Sequence, residues 1–169
     1  MNTFVAEPVR LYALPNGLAG TDATLRLMKQ EIIEGSRNPY VRQFTAGLIA
    51  GIRPQKNALA CIARIFDYVR DEIAYIPDIM DVETLHGAEF ILKHKYGDCD
   101  DKVIVLCACL RSVGFQTEIH AVIHGNNGHV IAAVPMNGKN FYLDPTERVP
   151  AGWFPLGVFQ VHKSLRIEQ

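Results

Sequence analysis

From Val103 to Leu110 every residue is apolar or a cysteine, in the run "VIVLCACL". Asp98 stands ahead of this run as a helix N-cap, and Gly114 stands behind it as a stop. A helix that is apolar on every side has to be surrounded by other elements. The rest of the chain must therefore cover it from several directions. At 169 residues the chain is long enough to do so as one domain.

The residues before the run read as helices. Residues 1–20, broken by Pro8, Pro15 and Gly17, are expected to form an extended arm. A single domain is expected over 21–169. "GTDATLRLMKQEIIEG" starts at Thr21 or Asp22, repeats Leu25, Met28 and Ile32 at helical spacing, and is expected to end at Gly35. In "NPYVRQFTAGLIAG" Asn38 caps a helix, Pro39 takes its first position and Gly51 closes it. "NALACIARIFDYVRDEIAYIPD" predicts a longer helix ending at Pro77, with Leu59, Ile62, Ile65, Phe66, Val69 and Ile73 as its core stripe. "TLHGAEFILKHK" predicts a short helix with basic residues in its last turn.

Beyond Gly114 the period changes to that of strands. "FQTEIHAVIHG" is rich in β-branched residues. "GHVIAAVPMNGKNFYLDP" reads as two strands joined at Asn137-Gly138, a hairpin-turn pair. "GVFQVHKSLRIE" reads as one more strand. Helices followed by an antiparallel sheet describe an α+β domain.

The charge balance excludes some partners. Lys plus Arg number 17 and Asp plus Glu 18, for a net charge of −1. That balance gives no electrostatic reason to expect nucleic acid or an acidic membrane as partner. No apolar stretch is long enough to span a bilayer, and the start "MNTFVAEPVRLYALPNG" does not read as a secretory signal. Cys61, Cys99, Cys107 and Cys109 form no framework of regular spacing, so free thiols in a reducing, cytoplasmic compartment are expected.

Cys99 lies among Asp98, Asp100 and Asp101, at the first turn of the buried helix. Negative neighbours disfavour a thiolate, and the dipole of a helix start returns only about 0.3–1 kcal/mol. A reactive Cys99 therefore needs a base, and that base needs an orienting group. If the hairpin turns at 137–138, paired residues have numbers that add to about 275. His129 then falls within a couple of positions of Asp144. A carboxylate could hold the imidazole while the imidazole faces the buried helix.

"GDCDD", an apolar helix ending "LRSVGF", a strand, "GHV" and "FYLDPT" resemble, in this order, the transglutaminase-like superfamily. "IFDYVRDEIAYIPD" is similar to the helix that precedes the cysteine motif in that family. The resemblance covers about residues 60–146. It implies a papain-like core with the cysteine on a helix and the histidine and aspartate on a sheet. Cys99 would be the nucleophile, His129 the base and Asp144 its orienting group. Residues 21–51 look like transglutaminase-like proteins of phages and prophages, which would place the chain in a host cell or a virion. Where many members continue the histidine with Ala-Trp, this chain has Val130-Ile131. No calcium or other cofactor is implied.

The resemblance implies acyl transfer through a thioester on Cys99. Small members resemble peptidases, so hydrolysis of an amide or peptide bond is expected, with amine transfer as the other outcome. The alternative is a non-catalytic structural or binding module of the same fold, such as a phage virion or assembly protein. The partner would be a peptide or protein amide, or phage structural proteins. The Cys99 backbone N–H is one oxyanion donor. Tyr75 is a candidate for the second, although a core aromatic is the expected role for it.

Other residues read more plainly. Cys107 and Cys109 are expected as core fillers. His120 and His124 share a strand face and could pair on a metal, but exposed surface histidines are expected. His86, His94 and His162 are read as surface or helix-end residues. Asp100 and Asp101 are expected to serve the helix start.

Overall fold

A computed structural model of the chain describes residues 10–12, 18–78, 83–124, 127–154 and 160–168. The helical half comes first. Strand β1 (Arg10–Tyr12) is followed by α1 (Leu18–Arg37), α2 (Pro39–Leu48), α3 (Ala58–Glu72), β2 (Ala74–Tyr75), β3 (Glu83–Leu85), α4 (Ala88–His94) and β4 (Tyr96–Gly97). Helix α5 (Cys99–Ser112) leads into β5 (Glu118–His124), β6 (Asn127–Met136), β7 (Lys139–Leu143) and β8 (Gln160–Arg166). The fold is α+β, as expected from the order of the patterns.

Helix α5 is the axis of the molecule. Every residue from Asp100 to Leu110 is buried. Helices α1 to α4 cover it on one side, and β6 covers it on the other. The long strands form one antiparallel sheet in the order β7-β6-β5-β8. Its helix-facing side carries Ile119, Ala121, Val130, Ala132, Val134 and Leu143, all part of the common core.

The β6–β7 hairpin pairs Met136 with Lys139 and Ala132 with Leu143, the register expected from the turn. Asn137 and Gly138 both have positive φ, 51° and 75°, as a two-residue turn matched to strand twist requires.

Several boundaries differ from those read in the sequence, each for a visible reason. Arg10–Tyr12, within the segment read as an arm, pair with β3, and the rest of 1–17 lies outside the described residues. Helix α1 starts at Leu18 and runs through Gly35 to Arg37. Gly35 is a packing residue: a Cβ there would lie 2.9 Å from the Ala88 Cβ and 3.0 Å from the Ala108 Cβ. What stops α1 is Asn38-Pro39, whose side-chain oxygen accepts from Tyr40 N–H and Val41 N–H to start α2. Helix α3 ends at Glu72, short of Pro77, because Ala74–Tyr75 leave to pair in parallel with Tyr96–Gly97. Its stripe is buried except Leu59, which is 52 % exposed. Thr84 and Leu85, expected at the head of a helix, belong to β3 instead.

Gly97 is the tightest of these junctions. A Cβ there would stand 2.5 Å from the Asp101 Cβ and 2.9 Å from its Oδ2. Gly97→Ala should therefore lower stability by about 1–3 kcal/mol through overpacking at the start of α5. Urea denaturation checks this; an unchanged midpoint would mean the junction yields freely.

Candidate active site

Asp98 caps α5 through a side-chain bond from Asp101 N–H at 3.0 Å. This places Cys99 in the first helical turn, partly buried. Its Sγ–H donates to Asp100 Oδ1 at 3.5 Å. The Val130 backbone N–H lies near the sulfur. Strand β7 leaves β6 at the Ala132–Leu143 pair, so Val130 lies past the end of that ladder. The thiol thus stands beside the residue that follows His129.

His129 and Asp144 are joined directly. His129 Nε2 lies 2.9 Å from Asp144 Oδ2. The other carboxylate oxygen, Oδ1, accepts from Thr146 N–H at 3.0 Å and Glu147 N–H at 3.4 Å. The Asp-Pro turn and the grip on the imidazole are therefore two uses of one carboxylate. Nε2 is thereby committed to Asp144, which fixes the orientation of the ring.

Val130, Ala132 and Val134 point to α5, and His129 stands one residue ahead of them on β6. Cys99 meets the strand near Val130.

The three aspartates have separate tasks. Asp98 is the cap. Asp101 is 1 % exposed and is held by His86, whose backbone N–H donates to Oδ1 at 2.8 Å and whose Nδ1 lies 2.7 Å from Oδ2. The hydrogen bond to Asp101, ahead of its charge, raises the His86 pKa and outweighs burial. His86 also stacks on Phe90 at 4.6 Å, so its expected surface role does not hold. Asp100 is left beside the thiol. Burial first, then the charges of Asp100 and Asp98, push the Cys99 pKa upward, and the Val130 N–H opposes them only in part.

Lys102 was hidden from the sequence reading by the apolar run it precedes. It is 2 % exposed, and its Nζ donates to the carbonyls of Ile73 at 2.8 Å and Arg70 at 3.2 Å. A cation here meets the carbonyl end of α3. Burial lowers its pKa to about 8, against the pull of Asp71 and Asp144. Arg70 in turn donates to the Val149 carbonyl at 3.0 Å, tying α3 to the segment that follows Asp144.

Tyr75 is 50 % exposed, with Ile76 beside it equally so; it is not a core aromatic. The Ile76 N–H bonds the Gly97 carbonyl at 3.0 Å, which puts this exposed pair next to the approach to Cys99. Burial of its hydroxyl, followed by the charges of Cys99, Asp98 and Asp100, raises the Tyr75 pKa. Cys107 and Cys109 are buried as core fillers, and burial raises both thiols, Cys107 to about 12 and Cys109 to about 11. His120, expected on the surface, is 3 % exposed. Its neighbours are Tyr142, edge-on at 5.4 Å, and Glu118, with Nε2 to Oε2 at 3.3 Å. The side chains of His124 and His162 lie outside the described residues. Among the described residues, no group of three or more His, Cys, Asp or Glu side chains is placed to hold a metal. No described helix is long and apolar enough to cross a membrane.

Comparison with known proteins bears on the family and the fold. Residues 42–156 match the model of the transglutaminase-like superfamily. No curated protein matches the chain. Among solved structures, a provisionally assigned protease from Parabacteroides distasonis aligns with a TM-score of 0.62 at 15% identity, over 95% of this chain and 39% of that one. A provisionally assigned cysteine protease from Cytophaga hutchinsonii aligns with a TM-score of 0.54 at 12% identity, over 82% of this chain and 57% of that one. The chain thus spans less than two thirds of either structure, and at these identities the likeness is one of fold.

The buried ammonium of Lys102 gives a stability test. Unfolded, the lysine keeps its proton to about pH 10.5; folded, it gives the proton up near 8. Between those values the unfolded chain binds more protons, so raising the pH favours the fold. The gap corresponds to at most about 3 kcal/mol. Wild type should gain stability from pH 8 to 10 relative to Lys102→Met, measured by denaturant titration at each pH. Parallel curves would refute the depressed pKa.

Proposed function

The chain belongs to the transglutaminase-like superfamily, and on that premise we propose that it is a cysteine peptidase or amidase acting through a thioester. The carrying observation is the His129–Asp144 bond at 2.9 Å on the strand whose next residue, Val130, meets the Cys99 sulfur. Cys99 is the nucleophile, His129 the base and Asp144 the group that fixes the imidazole.

The raised thiol sets the form of the mechanism. Resting Cys99 is a thiol donating to Asp100, not a thiolate paired with an imidazolium. Its proton passes to His129 as the sulfur attacks the carbonyl carbon. The C–N bond then breaks, and the imidazolium returns that proton to the leaving amine. Water, deprotonated by the same imidazole, cleaves the thioester to release the acid and restore the thiol. The Cys99 backbone N–H, at the helix start, is the first donor to the oxyanion. A peptide amide is the substrate class; the exposed Tyr75-Ile76 pair offers it an apolar wall beside the nucleophile.

The second reading is a binding module that retains the fold without turnover. The observation in its favour is the same raised thiol beside Asp100.

Two measurements separate these readings. Alkylation of Cys99, followed by mass spectrometry, should be slow at neutral pH and climb through the alkaline range. Asp100→Asn should quicken it at every pH, because it removes the nearest negative charge. Hydrolysis of a peptide library should be abolished by Cys99→Ala and fall at least about 100-fold in His129→Ala, within the range for a general base. Turnover that survives Cys99→Ala would end the thioester mechanism. A wild type that cleaves no amide would favour the binding module.

A further inference from the structure

Helix α2 has two apolar faces, and α5 uses only one of them. Val41 and Thr45 are buried on the inner side. The outward face carries Tyr40, Gln43, Phe44, Gly47 and Leu48, at the spacing of a helix stripe. With Tyr68 of α3 these residues line an open groove of about 390 Å³. Tyr40 is 38 % exposed. A continuous apolar face of this kind on a surface marks a place where something docks.

Gly47 adds a second, independent sign. It lies inside a helix, where glycine costs stability relative to alanine. Nothing lies within 4 Å of where its Cβ would be, so no close packing requires it. What the missing side chain does is keep the groove open.

The rim is basic. The Lys95 ammonium lies 4.6 Å from the centre of the Tyr68 ring and 5.2 Å from that of Phe44. The Lys93 ammonium lies 5.1 Å from the Tyr40 ring and also bonds Glu89 at 2.5 Å. Arg64 Nε donates to the Leu48 carbonyl at 3.4 Å. Among the described residues, neither Lys95 nor Arg64 meets a carboxylate. Two aromatic faces stand in for a counter-ion at Lys95, and burial lowers its pKa.

We propose that this groove docks an acidic peptide segment of a partner protein, which inserts one bulky apolar side chain between Tyr40, Phe44 and Tyr68. Its flanking carboxylates meet Lys95 and Arg64. An open groove would leave a small ligand largely in water, whereas a peptide carries its own flanking charges to the rim. Lys95 lies near Cys109, about 15 Å along α5 from Cys99. The groove is therefore separate from the thiol, and this proposal does not depend on turnover there.

The test uses two synthetic peptides on the full chain, acetyl-Asp-Glu-Phe-Glu-Asp-amide and its lysine counterpart acetyl-Lys-Lys-Phe-Lys-Lys-amide. The acidic peptide should bind wild type by isothermal titration and weaken as salt is raised. Gly47→Leu, which fills the groove with a better helix former, should weaken binding at least about tenfold while leaving Cys99 alkylation and thermal stability intact. Lys95→Gln should reduce both the affinity and its salt dependence. Three results would overturn the proposal: no binding of the acidic peptide, equal binding to Gly47→Leu, or equal binding of the lysine peptide. A concentration-dependent dimer that Gly47→Leu abolishes would overturn it too, by assigning the groove to a second copy.

Discussion

Helix α5 has no solvent face past its first turn, so each of its sides has to be matched by another element. Each fully buried aliphatic side chain on it contributes about 1.5–3 kcal/mol. Val103, Ile104, Val105, Leu106 and Leu110 are all in that state. Helices α1 to α4 and strand β6 are the cover, and their close approach sets the fine composition of the chain. Gly35 exists where α1 meets α4 and α5, and Gly97 exists where Asp101 folds back over β4. The start of the same helix, capped by Asp98, carries Cys99.

The polar groups around the helix start then follow as a set. Three carboxylates within four positions would repel if they pointed together. They are parted instead, one onto the backbone, one onto His86 and one onto the thiol. Lys102 adds a cation one turn further on and fastens it to the carbonyl end of α3. The site is held by an anchored helix on one side and by the paired His129 and Asp144 on the other. The anchors come from β3 and α3, well outside the hairpin that carries the pair.

Much of this could be read from the chain because the informative features are local. Asp98 as cap, Pro39 at a helix start, and Asn137-Gly138 as a turn each act over a few residues. The register set by that turn brings His129 within a couple of positions of Asp144, and the side-chain bond closes the gap. What could not be read depends on contacts distant in sequence. Gly35 looks like a helix stop until Ala88 and Ala108 are seen against it. His86 looks like a surface residue because Asp101 reaches it only after β3 and α5 come together. Residues 74–75 carry a helical pattern that parallel pairing with β4 overrides.

Among the described residues, β8 is one of the two edge strands of the long sheet and pairs on one side with β5. An outer strand leaves a row of backbone donors and acceptors that another chain could extend. In this chain that strand carries Lys163 and Arg166, one bound to Asp22 of α1 and the other to Glu118 of β5. Charges in those places make the edge a poor template for strand addition. The contacts that fix the last strand to the domain therefore also protect the protein from pairing into aggregates.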